Sequence, residues 1–273
     1  MKKVLVIASL ITNLRALMTN KDEIIARFRE NVRGLRFDPA GFNSRHDGKE
    51  GHWLEIQMGI APNGDNRPDL LGFEMKNQTS SGKTTFGDWS PDLNLWGRNT
   101  SDSSIGRLNK DTQFLPYFGT PNPQKDNRIS WSGSVVPKIG DYNYYGQKLI
   151  ITDTEDIQAI YSFEHDQRPD KSEIIPDNLQ RNIVLGQWTK AVIKGKLERK
   201  FNDQGWFKCL KDHNGIYREI VFGRPINYES WLGLVRQGIV YFDCGMYQTN
   251  PRPYAQWRAN NNYWDSLILD RHQ

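Results

Sequence analysis

Hydrophobic and polar positions follow a helical period near the start of the chain. Ile24 and Phe28 fall on one face of the segment 20–34, whose other positions are mostly charged or polar. Asn20 or Thr19 stands where the cap of such a helix belongs. The pattern therefore predicts an amphipathic helix in this segment.

Further along, apolar residues alternate with polar ones as they do in half-buried strands. The alternation predicts strands at 52–60 and 69–78, and the Pro, Asn, Gly and Asp between them predict that the two form a hairpin. Residues 79–133 are rich in Ser, Gly, Asn, Thr and Pro, which predicts a long surface excursion with a short helix. The other predicted elements are a strand at 147–153, a strand or helix at 157–164, a bent strand or a strand running into a helix at 182–200, a hairpin at 205–223, a short helix at 226–238 and a strand at 239–247. This mixture predicts an α+β or mixed α/β fold.

Composition narrows the class of protein. Of the 273 residues, 37% are hydrophobic and 12% aromatic, which is enough to bury a core in one large domain or in two lobes. The formal net charge of +4 is compatible with a nucleic-acid partner without establishing one. The two cysteines, Cys209 and Cys244, have no CxxC spacing, so they are interpreted as free thiols of a cytoplasmic protein.

The first residues form a short apolar run after two lysines. That run is too short to span a bilayer and is followed by no clear cleavage site. A second methionine, Met18, directly precedes the predicted helix. We therefore expect residues 1–17 to be a dispensable leader, with a signal peptide as the alternative.

The segment PDLLGFEMK (68–76) places two acids and a lysine close together. Asp69 and Glu74 carry the hard oxygen ligands that Mg²⁺ prefers, and Gly72 permits the bend that would bring them together. Glu74 and Lys76 are two positions apart and so share one strand face. A lysine beside a metal-bound water positions that water and offsets the charge of a phosphate. The set suits hydrolysis of a phosphodiester, and the alternative is an exposed strand face.

A second Glu-x-Lys pattern occurs at Glu198 and Lys200. It lies in a run of charged residues and no Pro-Asp pair precedes it nearby. We interpret it as a solvated helix or strand face.

The chemistry at 68–76 resembles the PD-(D/E)xK nuclease signature, with Asp69, Glu74 and Lys76 as its three members. More closely, LEIQMGIAPNGDNRPDLLGFEMK (54–76) is similar to the MvaI/BcnI-type restriction endonucleases and the related mismatch-repair nicking enzyme MutH. In that group a glutamate lies on the strand before the acidic pair, and Glu55 has that position here. The resemblance is strong over 52–78 and looser over 239–264.

The resemblance implies a Mg²⁺-dependent endonuclease that cleaves double-stranded DNA at a short site and leaves 5′-phosphate and 3′-hydroxyl ends. Asp69, Glu74 and the backbone carbonyl of Met75 would bind the metal, Lys76 would orient or activate the attacking water, and Glu55 would support Lys76 or a second metal. The implied fold is a restriction-endonuclease-like core sheet flanked by helices, with a DNA-recognition lobe. The group favours a monomer over a homodimer and sites that contain CC/GG.

Two segments have side chains suited to DNA. Lys83 lies in a Ser- and Thr-rich stretch that suits phosphate contacts, and SSGKTT lacks the first glycine of a nucleotide-binding loop. In the C-terminal segment, Arg252 and Arg258 can each donate two hydrogen bonds to guanine, and Asp243 can accept one from cytosine. Tyr254 supplies a rigid apolar surface beside them. The alternative is a surface loop whose arginines pair with local acids.

We expect 18–165 to form mainly the catalytic lobe and 166–273 mainly the DNA-recognition lobe, with interleaving of the two allowed. The favoured interpretation is that the protein is a type II restriction endonuclease. We expect it to use no nucleotide cofactor and to bind no membrane. A MutH-like or repair nicking endonuclease is the first alternative, and a non-catalytic DNA-binding protein is the second. Dependence on Mg²⁺ discriminates the enzymes from the binding protein, because paired carboxylates repel phosphate until a metal is present.

Overall fold

The fold mixes α-helices with three β-sheets, in agreement with the predicted α+β class. The computed structural model describes residues 18–42, 48–61, 66–77 and 81–273, so the leader predicted at 1–17 lies outside the described residues. The α-helices are α1 (Asn20–Asn31), α2 (Lys49–Gln57), α3 (Leu115–Phe118), α4 (Lys171–Ile174), α5 (Lys190–Phe201), α6 (Tyr228–Arg236) and α7 (Asn261–Ser266). No helix in these ranges has the length and apolar character needed to cross a membrane.

The strands contain more of the described residues than the helices do. In chain order they are β1 (Phe73–Lys76), β2 (Lys83–Asp88), β3 (Leu93–Asn94), β4 (Thr120–Asn122), β5 (Arg128–Ser132), β6 (Tyr145–Ile151), β7 (Ile157–Asp166), β8 (Asn182–Trp188), β9 (Gly205–Lys211), β10 (Tyr217–Gly223), β11 (Tyr241–Tyr247), β12 (Tyr254–Asn260) and β13 (Ile268–His272). A π-helical turn at Lys110–Phe114 continues into α3, and 3-10 turns occupy Pro123–Lys125, Gly133–Val135 and Asp177–Leu179.

Two compact units divide the chain, and each is built from separate stretches of sequence. The first contains the described residues up to position 77 with Arg199–Pro225 and Asp265–Gln273, and the second contains Ser81–Glu198 and Ile226–Trp264. The division therefore falls within α5 and does not coincide with the boundary expected at 165/166. The units interleave along the sequence, as the prediction allowed.

The first unit has a four-stranded sheet in the order β1-β9-β10-β13. β1 runs parallel to β9, whereas β10 is antiparallel to both of its neighbours. Residues from α1, α2, β1, β9 and β10 share one hydrophobic cluster, in which the Trp53 and Tyr217 rings stack with centroids 5.7 Å apart. The helix predicted at 20–34 is α1. Thr19 caps it through a capping box with Asp22.

The strand predicted at 52–60 is wrong, because this segment is helix α2. Leu54, Ile56 and Met58 alternate in sequence, but Leu54 and Met58 are buried while Ile56 is 49% exposed. Burial at positions four apart is the spacing of a helix. The hairpin predicted from 52–60 and 69–78 is therefore wrong as well.

The second unit contains two β-sheets. The order is β2-β12-β11-β5-β4 in the first and β3-β8-β7-β6 in the second. Aromatic rings fill the core of this unit: Trp188 lies 4.8 Å from Phe242 and 5.2 Å from Trp257, measured between ring centroids. The predicted strands at 147–153 and 239–247 and the helix at 226–238 are confirmed as β6, β11 and α6, and the segment 157–164, predicted as a strand or a helix, is strand β7.

The surface excursion predicted at 79–133 is also wrong. Despite its polar composition, the segment contains four strands, β2 to β5. Several large side chains on and between these strands belong to the core. Phe86, Trp89, Phe114 and Trp131 are all buried. These few aromatic side chains attach the polar segment to the core, because each removes a large apolar area from water.

Candidate active site

A tight turn brings Asp69 back against the strand that follows it. Leu71 and Gly72 both have positive φ, at 51° and 86°, and Leu70 and Phe73 exchange two backbone hydrogen bonds across the turn. Two positive φ values in succession are the geometry of a type I′ turn. The bend expected at Gly72 is therefore confirmed, and its effect is to place Asp69 beside β1.

Asp69 and the start of β1 are joined by a hydrogen bond. The N–H of Met75 donates to Oδ2 of Asp69 over 2.9 Å. The side chains of Phe73 and Met75 enter the hydrophobic cluster of the first unit. By strand alternation, Glu74 and Lys76 occupy the opposite face of β1.

Glu74 and Lys76 are charged side chains that are nearly fully buried. Lys76 Nζ donates a 2.7 Å hydrogen bond to Glu74 Oε1, and lies 5.0 Å from the centre of the Phe201 ring. Buried ions of this kind persist only when they are paired or bind a ligand. The exposed-strand alternative for this segment is therefore wrong.

The site perturbs the protonation of its members. Burial, and after it the negative charge of Glu74, raise the pKa of Asp69 to about 7. Burial also lowers the pKa of Lys76, and Lys200 adds to that lowering while Glu74 opposes it. Perturbed groups of opposite charge gathered in one place are typical of a functional site.

Sequence reasoning missed Lys200 as a member of this site. Its Nζ lies 3.1 Å from Glu74 Oε1, and its side chain is only 18% exposed. The interpretation of Lys200 as part of a solvated face is therefore wrong. Its partner in the pattern, Glu198, accepts a hydrogen bond from the N–H of Tyr228. The signal in the sequence was a second Glu-x-Lys, but nothing in the sequence linked it to Glu74.

The residues present fit a divalent metal ion. Glu74 Oε2 is buried and has no hydrogen-bond partner within the described ranges, so one carboxylate oxygen has a capacity that the protein does not satisfy. Asp69 supplies a second carboxylate next to it. Within those same ranges no group of three or more His, Cys, Asp and Glu side chains gathers to hold a metal. Two carboxylates with water in the remaining positions suit Mg²⁺.

Glu55 does not have the place expected for it. It lies on α2 and not on a strand, and its Oε2 is 3.5 Å from His52 Nδ1. In the part of the chain that is described, its carboxylate makes no hydrogen bond or ion pair with Asp69, Glu74 or Lys76. Its predicted support of Lys76 or of a second metal stays a prediction.

In the second unit, three of the expected DNA-binding residues, Asp243, Tyr254 and Arg258, lie on one face of a sheet. Tyr241 pairs with Arg258, Asp243 with Gln256 and Gly245 with Tyr254 across β11 and β12. Side chains at such opposed positions point to the same side. The opposite side of both strands carries the buried residues Phe242, Cys244, Ala255, Trp257 and Ala259. We refer to the side with Tyr241, Asp243, Tyr254, Gln256 and Arg258 as the polar sheet face.

Within the polar sheet face, two of the expected residues pair with each other. Arg258 Nε lies 3.0 Å from Asp243 Oδ2. Tyr254 crosses over Gly245, where an added Cβ would come within 2.1 Å of the tyrosine ring. Arg252 lies in the exposed connection between β11 and β12. Lys83 begins β2, with its Nζ 5.7 Å from the centre of the Tyr241 ring.

The mixed sheet, with Glu74 and Lys76 on β1 and Asp69 beside it, is the arrangement that the resemblance implied for the restriction-endonuclease class. The family model for the LlaMI restriction endonuclease matches residues 32–272. The chain belongs to this family and is a restriction endonuclease, which confirms the resemblance seen in the sequence.

Two similar proteins agree with this membership. The type II restriction enzyme ScrFI of Lactococcus lactis subsp. cremoris is 49% identical, over 93% of this chain and 99% of that protein. A solved complex of restriction endonuclease MvaI with its cognate DNA substrate superposes with a TM-score of 0.55 at 12% identity, covering 92% of this chain and 95% of that chain. At this identity the likeness to MvaI shows the restriction-endonuclease-like fold and nothing further.

Proposed function

We propose that the protein is a Mg²⁺-dependent type II restriction endonuclease that hydrolyses phosphodiester bonds of double-stranded DNA at a short specific site. The observation that carries the proposal is the buried Oε2 of Glu74, which lies beside Asp69 and Lys76 and has no hydrogen-bond partner in the described part of the chain. Membership of the restriction endonuclease family supports the reaction class. ScrFI is a type II restriction enzyme and the solved MvaI structure is a complex with its cognate DNA substrate, and both support DNA as the substrate.

In this proposal, Asp69, Glu74 and the carbonyl of Met75 hold the metal ion. When bound, the ion supplies Lewis-acid activation of the phosphate and of the attacking water. Lys76, held against Glu74 at 2.7 Å, orients that water for attack on the phosphorus. Breaking the bond to the 3′ oxygen leaves a 5′-phosphate and a 3′-hydroxyl.

Base reading is assigned to the polar sheet face. The guanidinium of Arg258 and the carboxylate of Asp243 match guanine and cytosine in the major groove, which favours a site with G·C pairs of the CC/GG type. Arg252 and Tyr254 flank this pair, and Lys83 suits a phosphate contact. The protein is expected to act as a monomer in the cytoplasm, where its buried free thiols Cys209 and Cys244 stay reduced.

The test is cleavage of DNA under defined metal conditions. Purified protein is incubated with bacteriophage-sized linear DNA and with a supercoiled plasmid, in Mg²⁺ and in EDTA. Discrete fragments and linear plasmid in Mg²⁺ alone, absent for Glu74→Gln, are the expected result, and sequencing of the ends gives the site. Accumulation of only nicked plasmid would support the nicking alternative. Intact DNA with a folded protein that still binds DNA in EDTA would favour a binding protein.

A further inference from the structure

Glu74 Oε1 is contacted by two lysines, whereas a single lysine already neutralises the charge of the carboxylate. Lys76 lies 2.7 Å and Lys200 3.1 Å from the same oxygen, while Oε2 of the same carboxylate has no hydrogen-bond partner among the described residues. Like charges held around a single oxygen repel one another, so this arrangement carries a cost. Since Lys76 already balances the charge of Glu74, the charge of the second lysine is the property to account for.

Lys200 is positioned by the last turn of α5, which also carries the ring that packs against Lys76. It is the penultimate residue of α5, and the next residue, Phe201, is fully buried and lies beneath the Lys76 ammonium group. An ordinary lysine in the last turn of a helix extends into water and interacts with the helix dipole. Lys200 instead extends to a buried carboxylate on β1, far from it in sequence.

When Asp69 is ionised, above its pKa of about 7, the charges of the site balance before a metal ion binds. Two carboxylates, Asp69 and Glu74, face two ammonium groups, Lys76 and Lys200. Without Lys200 the carboxylates would outweigh the lysine, and an incoming DNA phosphate would be repelled. Once a divalent ion engages both carboxylates, the site has two surplus positive charges, which match one phosphate and one attacking hydroxide.

We propose that Lys200 is a second functional lysine of the active site: it balances Glu74 before a divalent ion binds and interacts with the DNA phosphate once the ion has taken Glu74. This inference rests on the proposed function, since it assumes that the site receives a metal ion and DNA. In this account Lys200 compensates charge at a site that has only two carboxylates within the described ranges. It is distinct from Lys76, which orients the water.

The test measures DNA binding and metal binding, without relying on cleavage. Lys200→Gln keeps a hydrogen-bond donor of similar length and removes the charge, and Lys200→Arg keeps the charge. Lys194→Met is the matched control, because Lys194 lies on the same helix and pairs at the surface with Glu198 and Glu229. DNA affinity is determined by fluorescence anisotropy in Ca²⁺ over a series of salt concentrations. Binding of Mn²⁺ to the protein without DNA is determined by calorimetry.

For Lys200→Gln, the proposal expects weaker DNA binding in Ca²⁺, equally for cognate and unrelated sequences, with a salt slope smaller by about one. Mn²⁺ binding without DNA should be unchanged or tighter, because a cation that competes for Glu74 has been removed. Lys200→Arg should restore the salt slope, and Lys194→Met should leave it unchanged.

Three results would overturn the inference. They are a wild-type salt slope in Lys200→Gln, an equal loss of slope in Lys194→Met, or weaker Mn²⁺ binding in Lys200→Gln, which would make Lys200 a structural support of Glu74. If Lys200→Gln does not fold, the same measurements on Lys200→Met decide, with thermal melting to verify its fold. Failure of the wild-type protein to bind or cut DNA in Mg²⁺ would instead remove the proposed function itself.

Discussion

The N–H of Met75 donates a 2.9 Å hydrogen bond to Oδ2 of Asp69, across the turn formed by Leu71 and Gly72. This bond fixes the first carboxylate beside the strand that carries Glu74. Two acids separated by five positions in sequence thereby become neighbours. The catalytic arrangement consequently depends on a local turn as much as on the sheet around it.

We expect Gly72→Ala to destabilise the first unit and to disrupt the metal site. An alanine at φ 86° is strained, and its Cβ would lie 2.5 Å from Oδ2 of Asp203 and 2.9 Å from Cγ of Gln204. The strain alone costs about 1–2 kcal/mol, and the clash adds to it. Urea denaturation measures the loss of stability, and Mn²⁺ calorimetry measures the loss of metal binding.

Gly34→Ala is the matched control for that substitution. Gly34 also has a positive φ, at 84°, but an added Cβ meets nothing within 4 Å. It should therefore show the backbone strain without the clash and without any change in metal binding. Equal losses of stability in the two variants would contradict a role for close packing around Gly72.

Much of the local structure followed from the sequence where the apolar pattern was regular. Helix α1 was predicted from its apolar face, and the β9/β10 hairpin from the Asp-His-Asn-Gly turn between two segments. The pattern failed at α2, where Leu54, Ile56 and Met58 alternate like a strand although Ile56 is exposed. Local alternation over so few residues does not decide between a strand and a helix, and the tertiary packing of Trp53 on Tyr217 does.

The candidate site was predictable only where its members are close in sequence. Asp69, Glu74 and Lys76 fall within eight consecutive positions, and the glycine between the acids indicated the bend. Lys200 reaches Glu74 from the end of α5, and no periodicity or spacing relates two such distant segments. Glu55 illustrates the opposite error, because a position inferred from resemblance was assigned to the wrong kind of element.

Removal of the site's charges should separate catalysis from binding. Glu74→Gln should abolish cleavage, because the buried oxygen that faces the metal loses its charge. Lys76→Met should reduce the cleavage rate by about 10²–10⁴-fold, the range for loss of a group that positions or activates a nucleophile. Both variants should keep specific DNA binding in Ca²⁺, determined by gel shift. Cleavage at the wild-type rate by either variant would contradict the assignment of the site.

The raised pKa of Asp69 makes the stability of the metal-free protein depend on pH. The folded protein keeps the Asp69 proton up to a pKa of about 7, whereas the unfolded chain releases it near the ordinary value of 3.8. Between these values the folded state binds more protons, so its stability falls as pH rises from about 4 to about 7. The contribution is fully present below the lower value and is lost above the upper one.

Asp69→Asn removes this titration and provides the measurement. In EDTA, the free energy of unfolding of the variant minus that of wild type should rise between pH 5 and pH 8. We expect a rise on the order of 2 kcal/mol, which is less than the full pKa shift would give because the carboxyl is partly exposed. Urea denaturation at several pH values measures it. Addition of Ca²⁺ should stabilise the wild type at pH 8 more than the variant, since the ion binds the ionised carboxylate. A difference between the two proteins that does not change with pH would contradict the prediction.

The pair formed by Asp243 and Arg258 should determine part of the DNA sequence specificity. Its 3.0 Å contact is an ion pair without hydrogen-bond geometry, which keeps the guanidinium on the polar sheet face and leaves its outer nitrogens available for a guanine. Arg258→Ala should weaken binding to the cognate site by about 1–3 kcal/mol and relax discrimination at one base pair. Arg258→Lys should retain the charge but not the discrimination, because an ammonium group lacks the planar fork that recognises guanine.

Arg181→Ala is the control for the Arg258 variants, because Arg181 is exposed in the same unit and pairs with Asp102 at 3.1 Å. Binding of cognate and singly substituted duplexes in Ca²⁺ gives the discrimination for each variant. Asp243→Ala should also relax it, since Arg258 then loses the carboxylate that orients it. Discrimination that is unchanged in Arg258→Ala and Arg258→Lys would remove this pair from base reading and favour the alternative in which its charges only stabilise the sheet.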